Sequence, residues 1–188
     1  NQALSLGITS SSTVIVTGDG IFACRYGVIL RYLGVEHVYV MSGGATAWSD
    51  AGYELETASN TPTPVADFGV TAPAHPEYID TVAEVQQMLT DSNFTLVDNR
   101  TWEEYIGETS GYSYLDKAGR IDGAVFGYAG INNSSSMLYY RNIDNSMRNP
   151  AEILNMWADA GIDTSKHLSF MCGGGYRAAE VLWDAWMM

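Results

Sequence analysis

One cysteine stands in a setting that suits sulfur chemistry. Cys172 follows a short apolar run and precedes three glycines, after which a helical pattern begins. Glycine lets backbone N–H groups approach a sulfur closely, and a helix N-terminus adds positive potential. Both favour the thiolate, which is the nucleophilic form of cysteine. The pattern predicts a cradle of N–H groups around the sulfur, contributed by Gly173, Gly174, Gly175, Tyr176 and Arg177.

This cradle suits a reaction in two halves. A thiolate attacks the outer sulfur of a donor, and the resulting persulfide is an anion that the same N–H groups can hold. Arg177 would add positive charge if its side chain folds inward. We therefore predict Cys172 and Arg177 as catalytic residues. Cys24 lies inside an apolar helical pattern without neighbouring glycines, which predicts a packing role.

Composition argues against several other classes of function. The chain has 22 acidic and 9 basic residues and a formal charge of −13, so it has little attraction for nucleic acid or an anionic membrane surface. Its longest apolar runs fall well short of the roughly 20 residues of a spanning helix. His37, His75 and His167 are scattered singly, so no metal site is predicted. The predicted chemistry requires no metal or organic cofactor.

The elements that must position Cys172 follow an α/β pattern. Short β-branched runs alternate with amphipathic stretches, as expected for a parallel sheet flanked by helices. The predicted strands are 13–17, 37–41, 94–98, 124–126 and 168–171. The predicted helices are 22–33, 45–51, 79–89, 151–160 and 176–188.

An internal repeat divides the chain. Residues 7–18 match residues 161–172 in pattern without a gap, and Gly18 then takes the place of Cys172. The proline-rich stretch 58–76 is interpreted as a linker. The predicted domains are 1–57, the end of an inactive domain, and 77–188, which bears the active-site cysteine and lacks its own end. The chain is expected to be a fragment of a longer protein.

Several motifs in order carry a family resemblance. They are residues 96–100, 103–105 and 119–124, then the Cys172 loop, with 38–44 and Trp48 in the first unit. Together they resemble the landmarks of rhodanese domains. Residues 105–114 and the Cys172 loop are most similar to the last domain of a multi-domain bacterial sulfurtransferase.

The resemblance implies a rhodanese-like sheet in tandem domains and a thiosulfate or 3-mercaptopyruvate sulfurtransferase activity. The partners would be a small anionic sulfur donor and a thiophilic acceptor such as cyanide or a thiol. It also implies an export signal in the full-length protein, and hence a periplasmic location.

The chain departs from the family where the donor's anionic group is bound. A basic residue commonly stands where this chain has Glu104, and basic or hydroxyl side chains often occupy the places of Gly173 and Gly174. The cations that remain near the site are Arg100, Lys117, Arg120 and Arg177. Asp98 and Arg100, at a strand end, are predicted to tie loops together more than to touch substrate.

Two alternatives stay open at this point. A persulfide-carrier module loaded by a partner cysteine desulfurase would need no donor-binding cation. Cysteine phosphatases and arsenate reductases also hold an anion in a loop between Cys and Arg, but Cys172 and Arg177 enclose only four residues. That smaller ring fits a single sulfur better than a tetrahedral oxyanion.

Overall fold

The computed structural model describes residues 1–18 and 21–188, which form two compact units, Asn1–Ile79 and Asp80–Met188. The α/β prediction is confirmed. The helices are α1 (Gln2–Ser5), α2 (Phe22–Leu33), α3 (Gly44–Asp50), α4 (Val82–Met88), α5 (Trp102–Ile106), α6 (Pro150–Asp159) and α7 (Tyr176–Met187). The strands are β1 (Thr13–Val16), β2 (His37–Val40), β3 (Phe94–Asp98), β4 (Val125–Phe126) and β5 (His167–Met171).

The second unit is built on a parallel sheet in the order β4-β3-β5. All five residues of β3 are buried, because this central strand is covered on both faces. On one face Phe94 and Leu96 pack with apolar residues of α4. On the other face the Trp157 ring of α6 lies 5.6 Å from the Phe170 ring of β5. The carboxyl ends of β3 and β5 thus meet at one edge of the sheet.

The first unit contains one β–α–β crossover. Strands β1 and β2 pair in parallel, and α2 joins them and buries Ala23, Gly27, Val28 and Leu30. The segment 58–76, interpreted above as a linker, belongs to this unit. Its backbone is held by hydrogen bonds that Val65 N donates to Leu4 O and His75 N donates to Tyr32 O. The unit ends after a 3-10 helix, Pro76–Tyr78, so the division falls at residue 79 rather than 76.

Most predicted elements are found within a few residues. The predicted helix 79–89 begins only at Val82, because Thr81 caps it in a capping box with Glu84. Helices α1 and α5 were not predicted. Both are too short to show an apolar period, although Thr101 and Glu104 form a second capping box at the start of α5.

Candidate active site

Cys172 lies at the carboxyl end of β5, one residue beyond the register that pairs this strand with β3. Cys172 is half-buried and forms no disulfide bond. The backbone then turns through Gly175, whose φ of +75° is left-handed, and α7 begins at the next residue. The Gly175 N–H donates a hydrogen bond to Cys172 Sγ at 3.2 Å. The sulfur therefore lies against the head of α7, as the sequence predicted.

The N–H groups of the loop divide into two sets. Those of Gly174 and Arg177 have no acceptor among residues 1–18 and 21–188, so they are available to an anionic sulfur. The Gly173 N–H instead donates to Tyr112 Oη at 3.1 Å. The predicted cradle is corrected at this residue, because Gly173 contributes its N–H to a neighbouring loop. Tyr176 is the first residue of α7.

Tyr112 explains why the loop has glycine at its first position. A Cβ at Gly173 would overlap Cε2 of Tyr112 and lie 2.6 Å from its Oη, where no real carbon atom fits. The phenol ring thus occupies the space that a side chain at residue 173 would need. Burial is the main cause that raises the pKa of Tyr112; the Arg177 charge opposes it and the neighbouring Cys172 adds to it.

Arg177 is fully buried, and its guanidinium is bonded to neighbouring side chains. Its Nη1 and Nη2 donate to Glu104 Oε2 and Oε1 at 2.7 and 2.9 Å, and Nη2 also donates to Tyr112 Oη. Burial by itself would lower the pKa of Arg177, but the hydrogen bonds and charge of Glu104 outweigh it and raise the pKa. The Glu104 carboxylate pairs with this charge, and an electrostatic interaction with Cys172 remains, so charge support of the sulfur by Arg177 stays a prediction.

Glu104 has a structural role that the sequence analysis did not predict. Burial would raise its pKa, yet the hydrogen bonds from Arg177 and Thr101 lower it, so it is held as a carboxylate. Its Oε2 also accepts the Thr101 N–H at 2.9 Å, and its side chain leaves no room for a Cβ at Gly111. The Thr-x-x-Glu spacing was the available signal. Glu104 is a buried ion-pair partner and not a failed substrate-binding position.

Asp98 and Arg100 tie loops together, as predicted. Arg100 Nε and Nη2 donate to the two oxygens of buried Asp98 at 2.8 and 2.7 Å, and Nη2 also reaches Gly119 O at 2.8 Å. Their charges are therefore used within the protein. Lys117 and Arg120 are solvent-exposed, and the Arg120 guanidinium lies 4.7 Å from the centre of the Tyr105 ring.

Helix α7 carries a second buried charged group along its length. Arg141 Nε donates to Glu180 Oε1 at 2.6 Å, whereas Asp184 Oδ2 has no hydrogen-bond partner within the described chain. Burial raises the pKa of Asp184 to about 8, with Glu180 adding to the shift and Arg141 opposing it. One arginine thus faces two buried carboxyl groups.

Two searches of the described residues, 1–18 and 21–188, found nothing. No group of three or more His, Cys, Asp or Glu side chains is placed to hold a metal ion there. No helix in that part of the chain is long and apolar enough to span a bilayer.

Comparison with known proteins agrees with this geometry. Residues 81–188 match the rhodanese-like domain, and the chain belongs to the rhodanese family. It is 39% identical over 178 residues to thiosulfate sulfurtransferase YnjE of Escherichia coli K12, covering 93% of this chain and 40% of that protein. Human 3-mercaptopyruvate sulfurtransferase is 23% identical over 186 residues, covering 97% of this chain and 59% of the enzyme.

Solved structures of other sulfur enzymes share the fold. An anaerobic ergothioneine biosynthesis enzyme from Chlorobium limicola, in complex with its substrate trimethyl histidine, superposes with a TM-score of 0.96 at 38% identity, covering 99% of this chain and 47% of that one. A variant of EanB with a cysteine persulfide and ergothioneine gives a TM-score of 0.94 at 37% identity, covering 99% and 48%. The chain spans less than two thirds of each of these proteins.

The tandem-domain prediction is not confirmed by these matches. The family match covers only the second unit, residues 81–188, and the first unit holds a two-stranded sheet among its described residues.

Proposed function

We propose that this chain transfers a sulfane sulfur through a persulfide on Cys172. The donor is a small anion of the thiosulfate or 3-mercaptopyruvate type, and the acceptor is a thiophile such as cyanide or a thiol. The observation that carries the proposal is the Gly175 N–H on Cys172 Sγ at the head of α7. The relatives named above support it, because their names refer to this reaction class.

The two half-reactions balance without a cofactor. The Cys172 thiolate attacks the outer sulfur of thiosulfate, a new S–S bond forms, and sulfite leaves with the electron pair of the broken S–S bond. The acceptor then attacks the outer sulfur of the persulfide, and the thiolate leaves. The N–H groups of Gly174, Gly175 and Arg177 can stabilise negative charge in both halves.

Intact mass spectrometry tests this proposal. After exposure to thiosulfate or 3-mercaptopyruvate, the wild-type chain is expected to gain the mass of one sulfur atom, and cyanide should remove it. Cys172→Ala should gain nothing, whereas the control Cys24→Ala should load as wild type does. Sulfur retained on the Cys172→Ala variant would refute the proposal.

A carrier role is the second candidate, and one observation favours it. Arg100 and Arg177 are both paired with carboxylates, and Gly173 and Gly174 have no side chain that could bind a donor's anionic group. A persulfide delivered by a partner cysteine desulfurase would need none of these cations. Incubation with a desulfurase and cysteine separates the two: a gain of sulfur only with the desulfurase present supports the carrier.

The acceptor is tested in parallel with the donor. The structural neighbours bind trimethyl histidine or ergothioneine. The loaded protein should therefore be tested with three acceptors: cyanide, a thiol and trimethyl histidine. The acceptor that discharges the persulfide fastest defines the physiological class.

The geometry disfavours the phosphatase alternative. A phosphatase needs its loop arginine to grip the oxyanion, and Arg177 is buried on Glu104. We expect no hydrolysis of an aryl phosphate; turnover lost on Cys172→Ser would contradict this.

From the family resemblance we also propose a periplasmic location for the full-length protein, which fractionation of cells expressing it would test.

A further inference from the structure

Tyr112 is placed to act on the same sulfur, although it lies in another loop. Its Oη accepts hydrogen bonds from Gly173 N and from Arg177 Nη2. A phenol oxygen accepts two such bonds and still has its own proton to donate. No acceptor for that proton exists among the residues that the structure describes. Tyr112 is half-buried, so a hydroxyl with both acceptor sites filled and its donor unused is placed to meet a substrate.

We infer that Tyr112 is a catalytic residue whose hydroxyl donates a hydrogen bond to the outer sulfur of the Cys172 persulfide. This inference rests on the proposed function. The phenol oxygen is bonded to the residue directly after Cys172, and its ring fills the space that a side chain at 173 would take. Tyr112 thereby supplies, from outside the loop, the polar group that Gly173 and Gly174 lack.

Arg177 and Glu104 act through Tyr112. The guanidinium donates to Oη and so makes the hydroxyl a stronger donor, while Glu104 fixes the guanidinium from its other side. Because burial raises the pKa of Tyr112, the hydroxyl keeps its proton at neutral pH. No proton is transferred: sulfite leaves thiosulfate with its electron pair, and the persulfide anion remains hydrogen-bonded to Tyr112. Arg177 is thus a positioning residue.

The test uses intact mass spectrometry to measure the fraction of the protein that carries the persulfide in mixtures of thiosulfate and sulfite. Because sulfite reverses the loading, this fraction reports the equilibrium between the loaded and the unloaded protein. Loss of one hydrogen bond to a charged group in Tyr112→Phe should shift this equilibrium roughly tenfold to a hundredfold towards the unloaded protein. Tyr114→Phe is the matched control, since its side chain is exposed and its ring lies 5.2 Å from that of Tyr112. Its loading should equal that of wild type.

A second variant separates hydrogen bonding from packing. With 3-fluorotyrosine at position 112, the more acidic hydroxyl is a stronger donor of nearly the same shape, so loading should increase. Unchanged loading with 3-fluorotyrosine, or in Tyr112→Phe, would overturn the inference while the proposed function stands. A wild-type protein that takes up no sulfur would overturn both.

Discussion

Two segments of this chain share a backbone pattern, and the cysteine loop described above lies in one of them. In each, a left-handed glycine ends a helical turn, Gly7 at φ +74° and Gly161 at φ +76°. In each, the next residue donates its N–H to the carbonyl five residues earlier, at 2.9 and 2.8 Å. In each, a parallel strand follows, and then a helix of 12 residues. Helix α2 starts four residues after Gly18, and helix α7 starts four residues after Cys172.

The side chains buried by these two helices are what differ. Where α7 buries Arg177, α2 has Ala23, and where α7 buries Asp184, α2 has Leu30. The buried residues of α2 are apolar or glycine, whereas the buried Arg177 of α7 fixes Glu104 and Tyr112 beside the cysteine loop. A strand, loop and helix are therefore not sufficient for a site. The local match does not by itself establish a second rhodanese domain.

The largest expected effect comes from exchanging the two loop residues. Cys172→Gly copies the first segment and should abolish sulfur uptake, with turnover falling on the order of 10³-fold or more. Gly18→Cys in that background should restore nothing, because α2 has Ala23 at the place that Arg177 takes in α7. A Cβ at residue 18 lies 3.9 Å from the Ala23 Cβ and fits. Intact mass after thiosulfate exposure checks both; sulfur taken up by the Gly18→Cys/Cys172→Gly variant at position 18 would contradict the comparison.

Breaking the buried ion pair should have the largest effect on stability. Glu104→Gln leaves the Arg177 charge buried and unpaired, which should lower the free energy of unfolding by about 3 to 5 kcal/mol. Urea denaturation measures this. Glu103→Gln, at the exposed neighbouring residue, should change little. If the double variant Glu104→Gln/Arg177→Met is no more stable than Glu104→Gln, the unpaired Arg177 charge is not the cause of the lost stability.

Asp184 should make stability depend on pH. The unfolded Asp184 loses its proton near pH 4 and the folded one near pH 8, so between these values the folded state binds more protons. Stability contributed by this group should therefore fall as pH rises through that window, by at most about 1.4 kcal/mol per pH unit.

Asp184→Asn removes this dependence, so the variant should gain stability over wild type from pH 4 to pH 8. Urea unfolding across that range measures the difference, with exposed Asp159→Asn as control. The neighbouring charged groups, Arg141 and Glu180, remain in both proteins. A difference that stays constant or shrinks as pH rises would show that folding does not raise the pKa of Asp184.

The smallest expected effect tests the contact between Tyr112 and the loop. Gly173→Ala forces a Cβ into the Tyr112 ring and should destabilise the protein by about 1 to 3 kcal/mol. The adjacent Gly174→Ala meets only the Tyr176 ring, at 3.3 Å, and should cost less. In a double-mutant cycle with Tyr112→Ala, the cost of Gly173→Ala should largely disappear; strict additivity would mean that the ring is not the obstacle.

Much of the fold could be predicted from local sequence. The bounds of α2 and β3 were predicted to the residue, because a helical period and a short run rich in apolar residues are properties of neighbouring residues. The short helix α5 was missed, since five residues show no period. The segment 58–76 was interpreted as a linker because proline-rich composition does not reveal the hydrogen bonds that hold it to the first unit.

The sequence by itself determined the α/β class and the place of a cysteine between the carboxyl end of a strand and a helix, because strand, glycines and helix are contiguous. Only the tertiary structure decided that Arg177 pairs with Glu104, that Gly173 faces Tyr112, and that Tyr112 has a proton to give. The residues of each pair are separated by more than 60 positions in the sequence. Spacing along a chain cannot show which distant charged groups the fold buries next to each other, where they must pair.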